Sequence, residues 1–187
     1  MEAFFVSTSV VAIAEIGDKT QLLALLLAAR FRKPLPISLG ILLATLANHA
    51  LAGLFGQFLG HLMTPDVLRW VVGLSFLPMA VWALIPDRGG DGNRLLERYG
   101  PLIATTVAFF IVEIGDKTQL ATVVLAARFD ALFAVVAGTT LGLMIANIPA
   151  VFFGDAMAGR LPMTAIRIAA AALFAGIGIA TLLGVGG

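Results

Sequence analysis

The sequence has no cysteine in its 187 residues. Disulfides, thiolate metal sites and cysteine nucleophiles are therefore excluded. Charge is scarce too. Asp, Glu, Lys and Arg make up 12% of the chain, against about 25% in an ordinary soluble domain. The net charge is +1 and the basic residues form no stripe, so nucleic acid is not an expected partner. No Walker A motif is present, which removes ATP as the direct energy source. A signal peptide is not expected either. Ala12-Ile13-Ala14 looks like a cleavage site, but the stretch before it has no basic region and carries Glu2. It reads as the start of a membrane span.

What is abundant is apolar. Hydrophobic residues make up 60% of the chain and the mean hydropathy is +1.02. Six runs reach the ~18 residues or more needed to cross a bilayer. They cover Phe4 to Ala29, Pro36 to Gly60, Val67 to Ile85, Pro101 to Ala127, Ala131 to Met157 and Pro162 to Val185. Backbone in lipid must satisfy its own hydrogen bonds, and no alternating strands appear, so the spans are expected to be helices. Prolines at several span starts sit where a missing N–H matters little. The single real loop, Pro86 to Gly100, balances Asp87, Asp91 and Glu97 against Arg88, Arg94 and Arg98.

The halves repeat. Glu15, Asp18, Lys19, Thr20, Gln21, Arg30 and Phe31 recur 98 positions later as Glu113, Asp116, Lys117, Thr118, Gln119, Arg128 and Phe129. Gly40 recurs as Gly138, and Asn48 has a counterpart in Asn147, one residue out of step. Each half holds three spans, an odd number, so the second half enters the membrane upside down relative to the first. The expected fold is an all-α integral membrane protein of six transmembrane helices in two inverted three-helix repeats. Residues 1–86 form the first repeat, 87–100 a cytoplasmic connecting loop and 101–187 the second repeat, together one transmembrane domain. Orientation follows from the basic residues. Arg30, Arg32, Lys33, Arg88, Arg94, Arg98, Arg160 and Arg167 fall on one face, and only Arg69 and Arg128 on the other. The first face is expected to be cytoplasmic, with both termini outside. Trp70 and Trp82 suit interfacial anchoring of the third span.

The octapeptide EIGDKTQL, at 15–22 and 113–120, puts charge into the middle of the most apolar segments. Each such group costs roughly 2.5–3.5 kcal/mol on insertion scales, which packing alone does not explain. On a regular helix Glu15 and Asp18 would lie about 60° apart, and Lys19 would stand in the favourable position for an ion pair with Glu15. Thr20 and Gln21 would then point to nearly opposite sides, which suits a regular helix poorly. Gly17 and Gly115 allow either close helix packing or a local break that frees carbonyl oxygens towards a cavity. Glu15, Asp18, Glu113 and Asp116 can therefore meet near a pseudo-twofold axis, with amide oxygens of Asn48 and Asn147 beside them. This ligand set is rich in hard oxygen and favours calcium, manganese or magnesium. Carboxylates also take protons, so the same groups can hold either metal or protons. Four carboxylates against two lysines leave a charge of minus two, which one divalent cation or two protons would neutralise.

Plainer readings stand beside these. Lys19 and Lys117 neutralise carboxylates. Thr20 and Thr118 back-bond to a carbonyl one turn earlier, and Gln21 and Gln119 are similar. Asn48 and Asn147 serve as interhelical glue. His49, which has no repeat partner, reads as a satisfied packing residue. Asp155 belongs near an interface. The four acids themselves have a structural ion-pair network as their alternative. An intramembrane aspartyl protease is disfavoured. Glu15 and Glu113 stand where such a motif has its first glycine, and the partner tyrosine–aspartate pair is missing.

Two copies of E-x-G-D-(K/R)-(S/T), one per half, resemble the hallmark of a family of calcium/manganese cation–proton exchangers. Its members include bacterial manganese exporters and Golgi and chloroplast proteins, and it is grouped with lysine-exporter-type transporters. Both copies match throughout, as Glu15-Ile16-Gly17-Asp18-Lys19-Thr20 and Glu113-Ile114-Gly115-Asp116-Lys117-Thr118. The resemblance implies that the acidic residues of the two motifs form the cation path. The organelle members' targeting extension has no counterpart before the first span, so the bacterial branch is the better match. It implies a multi-pass protein of the bacterial inner membrane that exports Mn²⁺ in exchange for protons. A calcium-preferring exchanger and a divalent-cation channel are the alternatives. No enzymatic activity and no cofactor are expected; Mn²⁺ or Ca²⁺ and protons are substrates, and the lipid bilayer is the surrounding partner.

Overall fold

The computed structural model describes residues 1–85, 99–157 and 163–184. The charges of the central loop from Asp87 to Arg98, and Arg160, lie outside the described residues, as do the side chains of Asp155 and Arg167. The described residues form eight helices and no strand: α1 (Glu2–Glu15), α2 (Lys19–Phe31), α3 (Pro34–Leu62), α4 (Pro65–Leu84), α5 (Gly100–Glu113), α6 (Lys117–Phe129), α7 (Leu132–Met157) and α8 (Met163–Leu182). Pro34 and Pro65 each sit in the first turn of a long helix, where the lost N–H would be unpaired anyway. Among the described residues, three helical stretches are long and apolar enough to cross a membrane by length and composition: Pro34–Leu62, Pro65–Leu84 and Leu132–Phe153.

Two of the expected spans, 4–29 and 101–127, are not continuous helices. Each is split in its middle, α1 from α2 and α5 from α6. The reason is local. Ile16 and Ile114 adopt extended backbone, and Gly17 and Gly115 take φ of 80° and 76°. That left-handed conformation is disfavoured for residues bearing a Cβ and easy for glycine. Asp18 and Asp116 then restart the chain as N-caps, their carboxylates accepting from the N–H of Lys19 and Thr118 respectively.

The helices of one half pack mainly on those of the other. α1 and α2 lie against α7, α5 and α6 lie against α3, and α4 lies against α8. A Cβ on Gly40 of α3 would stand 2.9 Å from the Leu102 carbonyl oxygen and 2.7 Å from Thr105 Cβ on α5. A Cβ on Gly138 of α7 would stand 2.5 Å from the Phe4 carbonyl oxygen and 3.0 Å from Ser7 Cβ on α1. Phe4 and Ser7 precede Leu102 and Thr105 by 98 positions, as Gly40 precedes Gly138. The same contact is therefore made twice, with the halves exchanged.

The distribution of polarity is inside out relative to a soluble protein. Leu39, Leu43, Leu46, Leu54 and Phe58 of α3 are exposed. Glu15, Asp18, Thr45, Asn48, Glu113 and Asp116 are buried. An apolar exterior around a charged interior is the arrangement a bilayer selects. Apolar packing still joins the helices, for example where the Phe76 and Phe174 rings stack at 6.0 Å between α4 and α8.

Candidate functional site: buried acids at two helix breaks

The two breaks bring the motif acids together. Single carboxylate oxygens of Glu15, Asp18 and Asp116 all lie within 4.8 Å of one another, and all three residues are buried. Glu113 is also fully buried, but it is not part of that three-acid group. Both breaks end in the same local bracing. The Gly17 N–H donates to Gln21 Oε1 at 2.9 Å, and the Gly115 N–H donates to Gln119 Oε1 at 2.7 Å. Thr20 and Thr118, read above as back-bonding to a carbonyl, instead donate their hydroxyls to Glu15 and Glu113.

The lysines overturn a geometric expectation. Lys19 does not pair with Glu15 along a helix, because the break separates them. Its Nζ lies 2.8 Å from Asp116 Oδ1, in the other half, and Lys117 Nζ lies 3.2 Å from Asp18 Oδ2. The pairing is reciprocal. The Lys19 side chain is 24% exposed and that of Lys117 is 5% exposed, while both aspartates are fully buried.

The asparagines are not equivalent. Asn147 donates to Glu15 Oε1 at 3.2 Å and to the Leu143 carbonyl at 3.2 Å. Its own oxygen has no hydrogen-bond partner among the described residues. Asn48 donates to the Phe110 carbonyl at 3.0 Å and accepts from Gln119 Nε2 at 3.4 Å. Its oxygen is thus engaged by Gln119, whereas sequence reasoning left it available to an ion. Gln21 reaches the Ala146 carbonyl at 2.9 Å, one residue before Asn147. The two halves therefore differ around Glu15 and Glu113.

His49 corrects another expectation. It is fully buried, yet neither ring nitrogen has a hydrogen-bond partner among the described residues. The expected satisfying partner is not found among the described residues. One oxygen each of Glu15 and Glu113 is likewise without a hydrogen-bond partner among the described residues. A buried polar atom so placed normally has a water or ion to meet it. The site thus combines hard oxygen donors, two ammonium groups and orphaned lone pairs. Such a set can hold a small cation or exchange it for protons.

A second polar group, which sequence reasoning missed, lies at the far end of α3. Gln57 Nε2 and His61 Nε2 meet Asp130 Oδ1 at 2.8 and 2.9 Å. Those hydrogen bonds, Gln57 first, hold the exposed Asp130 carboxyl below its usual value of 3.8. The i, i+4 spacing of Gln57 and His61 marked a common helix face. Nothing in the sequence pointed to Asp130 as its partner.

The apolar helices surrounding a charged centre are those of a membrane transport protein, and comparison with known proteins agrees. Residues 3–91 and 101–186 match the family described as "Divalent cation/proton antiporter GDT1". The chain belongs to that family, which is one of transporters and not of enzymes. It is 51% identical over 182 residues to a Vibrio cholerae protein named "Putative manganese exporter", covering 97% of this chain and 90% of that one. It is 28% identical over 207 residues to "GDT1-like protein 3" of Oryza sativa, covering 96% of this chain and 73% of the relative. A GDT1-like protein of Synechocystis matches at 28% identity, covering 93% of each chain. No solved structure matches the chain.

Proposed function

We propose that this protein exports Mn²⁺ from the cytoplasm in exchange for protons, through a site built from Glu15, Asp18, Glu113 and Asp116. The observation that carries the reading is the buried meeting of Glu15, Asp18 and Asp116, drawn from both halves, within 4.8 Å. Carboxylates that close repel one another, and a divalent cation between them turns repulsion into binding. Thr20, Thr118, Gln21 and Gln119 brace the acids and the breaks; Asn147 orients Glu15 and Asn48 orients Gln119. Lys19 and Lys117 set the resting charge. The carboxylates minus the ammoniums leave minus two, so two protons replace one Mn²⁺ and the cycle is electroneutral.

Six membrane crossings follow if α1 with α2, and α5 with α6, each form one interrupted span. The twice-made glycine contact and the reciprocal lysine pairs support two halves related by a pseudo-twofold axis, 1–86 and 101–187 joined by 87–100. With three crossings each, that axis lies in the membrane plane, the plan of alternating-access carriers with broken helices. The bacterial relatives support the bacterial inner membrane, and the bias of the basic residues supports both termini outside. Manganese is preferred over calcium here on the strength of the Vibrio relative's name.

The test is flux in proteoliposomes that contain only this protein, with Mn²⁺ and pH followed together. Mn²⁺ movement driven by an opposed proton gradient, at a reversal condition that ignores membrane voltage, is the expected result. Ca²⁺ flux in preference to Mn²⁺ would reassign the substrate. Metal conductance without proton movement would make the protein a channel and end the exchange reading.

A further inference from the structure

We infer that Lys19 and Lys117 are tethered surrogate cations: each ammonium fills the opposite half's share of the metal site, and an arriving metal ion must displace it. The inference rests on the proposed site and adds what holds it between transport events. Asp18 and Asp116 each meet a lysine Nζ, and they also belong to the three-acid group. A divalent ion and the ammoniums therefore compete for the same two carboxylates. The competition is intramolecular: between transport events the ammoniums hold the two aspartates, and the two incoming protons neutralise the remaining minus two.

The crossing of the pairs gives the competition a second effect. Lys19 belongs to α2 and holds Asp116 of the second half, while Lys117 belongs to α6 and holds Asp18 of the first. Together they tie the two breaks to each other. Metal entry that expels the ammoniums also unties the halves. Ion binding and freedom of the halves to move are thereby linked through two salt bridges. The exposures set an order. Lys19 is 24% exposed and has somewhere for its charge to go; Lys117, at 5%, does not. Lys19 yields first.

A structural ion pair and a displaced counter-ion predict opposite results on removal. In Lys19→Met the acids lose their internal competitor. Mn²⁺ binding should tighten by about 5- to 150-fold, the usual range of coupling between two ligands of one site. Transport turnover should fall, because the protons then expel the ion without the help of the Lys19 ammonium. Lys19→Arg keeps the charge and should bind Mn²⁺ more weakly than Lys19→Met does. Mn²⁺ affinity is read on purified protein by calorimetry and turnover in liposomes. The second measurement needs no variant. Amine-specific acylation of the wild-type protein, resolved by peptide mass spectrometry, should rise at Lys19 when Mn²⁺ is added and leave exposed Lys33 unchanged. Unchanged or weaker affinity in Lys19→Met, or Lys19 labelling that does not respond to Mn²⁺, overturns the inference. If the wild type binds and carries Mn²⁺ in those same assays, the proposed function survives that failure. If the wild type does not bind Mn²⁺, the site itself is wrong.

Discussion

Asp18→Asn and Asp116→Asn are the same change at repeat-related positions, and they should not cost the same. Asn caps a helix about as well as Asp, so the loss of capping is small and equal in both. The difference lies in the lysine left behind. Asp18→Asn takes the Asp18 carboxylate away from Lys117, whose side chain is only 5% exposed. Removing one partner of a buried pair costs about 3–5 kcal/mol, because the remaining charge stays buried. Asp116→Asn releases Lys19, which is 24% exposed and can swing its ammonium outward on its long stem. Its loss should be nearer the worth of one charge-assisted hydrogen bond, about 1.5–3 kcal/mol. The measurement is the unfolding midpoint of both variants in the same detergent without metal. Two further variants separate the causes. Lys117→Met added to Asp18→Asn should recover most of the loss, since the buried ammonium is then gone. Lys19→Met added to Asp116→Asn should recover little. Equal losses, or a greater loss for Asp116→Asn, would refute the idea that the exposure of the lysine sets the cost.

Three other outcomes are expected. Gly56→Ala should lower stability sharply and Gly176→Ala should not, because a Cβ at Gly56 would run into the Val123 backbone whereas one at Gly176 meets nothing within 4 Å; parallel thermal melts check this. The Asp130 carboxyl should titrate below 3.8 by carbon NMR and move back up in Gln57→Leu. A carboxyl lowered in the folded state contributes stability above its ordinary value and loses it as pH falls through its own lower value, so Gln57→Leu should shrink that contribution on the acid side. A reporter active only in the cytoplasm, fused after Gly187, should be silent, and strong activity would reverse the proposed orientation.

The doubled octapeptide made the key residues legible, because charge in an apolar span is conspicuous and a 98-residue offset is easy to see. The break at Gly17 was hinted at by the awkward directions of Thr20 and Gln21 on a regular helix. Once the helix is broken, those directions no longer conflict: Thr20 reaches Glu15, and Gln21 reaches both the Gly17 N–H and the Ala146 carbonyl. The lysine partners were not legible. Local spacing favours Glu15 for Lys19, and only the folded backbone shows that Asp116 is nearer. His49 failed for a related reason. A histidine in an apolar helix is ordinarily satisfied, and its lack of hydrogen-bond partners is a property of its neighbours. The inequivalence of Asn48 and Asn147 was hidden by the likeness of the halves.

The exchange of packing partners between halves bears on how the protein is assembled. α1 and α2 rest on α7, and α3 rests on α5 and α6. During synthesis the first four helices emerge before any of those partners exist. Asp18 therefore waits without Lys117, and the glycine of α3 faces no α5. The first half should be an insertion intermediate held by lipid and by the translocation machinery, and not a finished unit. Two halves made as separate chains in one membrane would have to find each other, and finding each other would complete both at once. A gene encoding only one half would need two copies of its product to close the same interface.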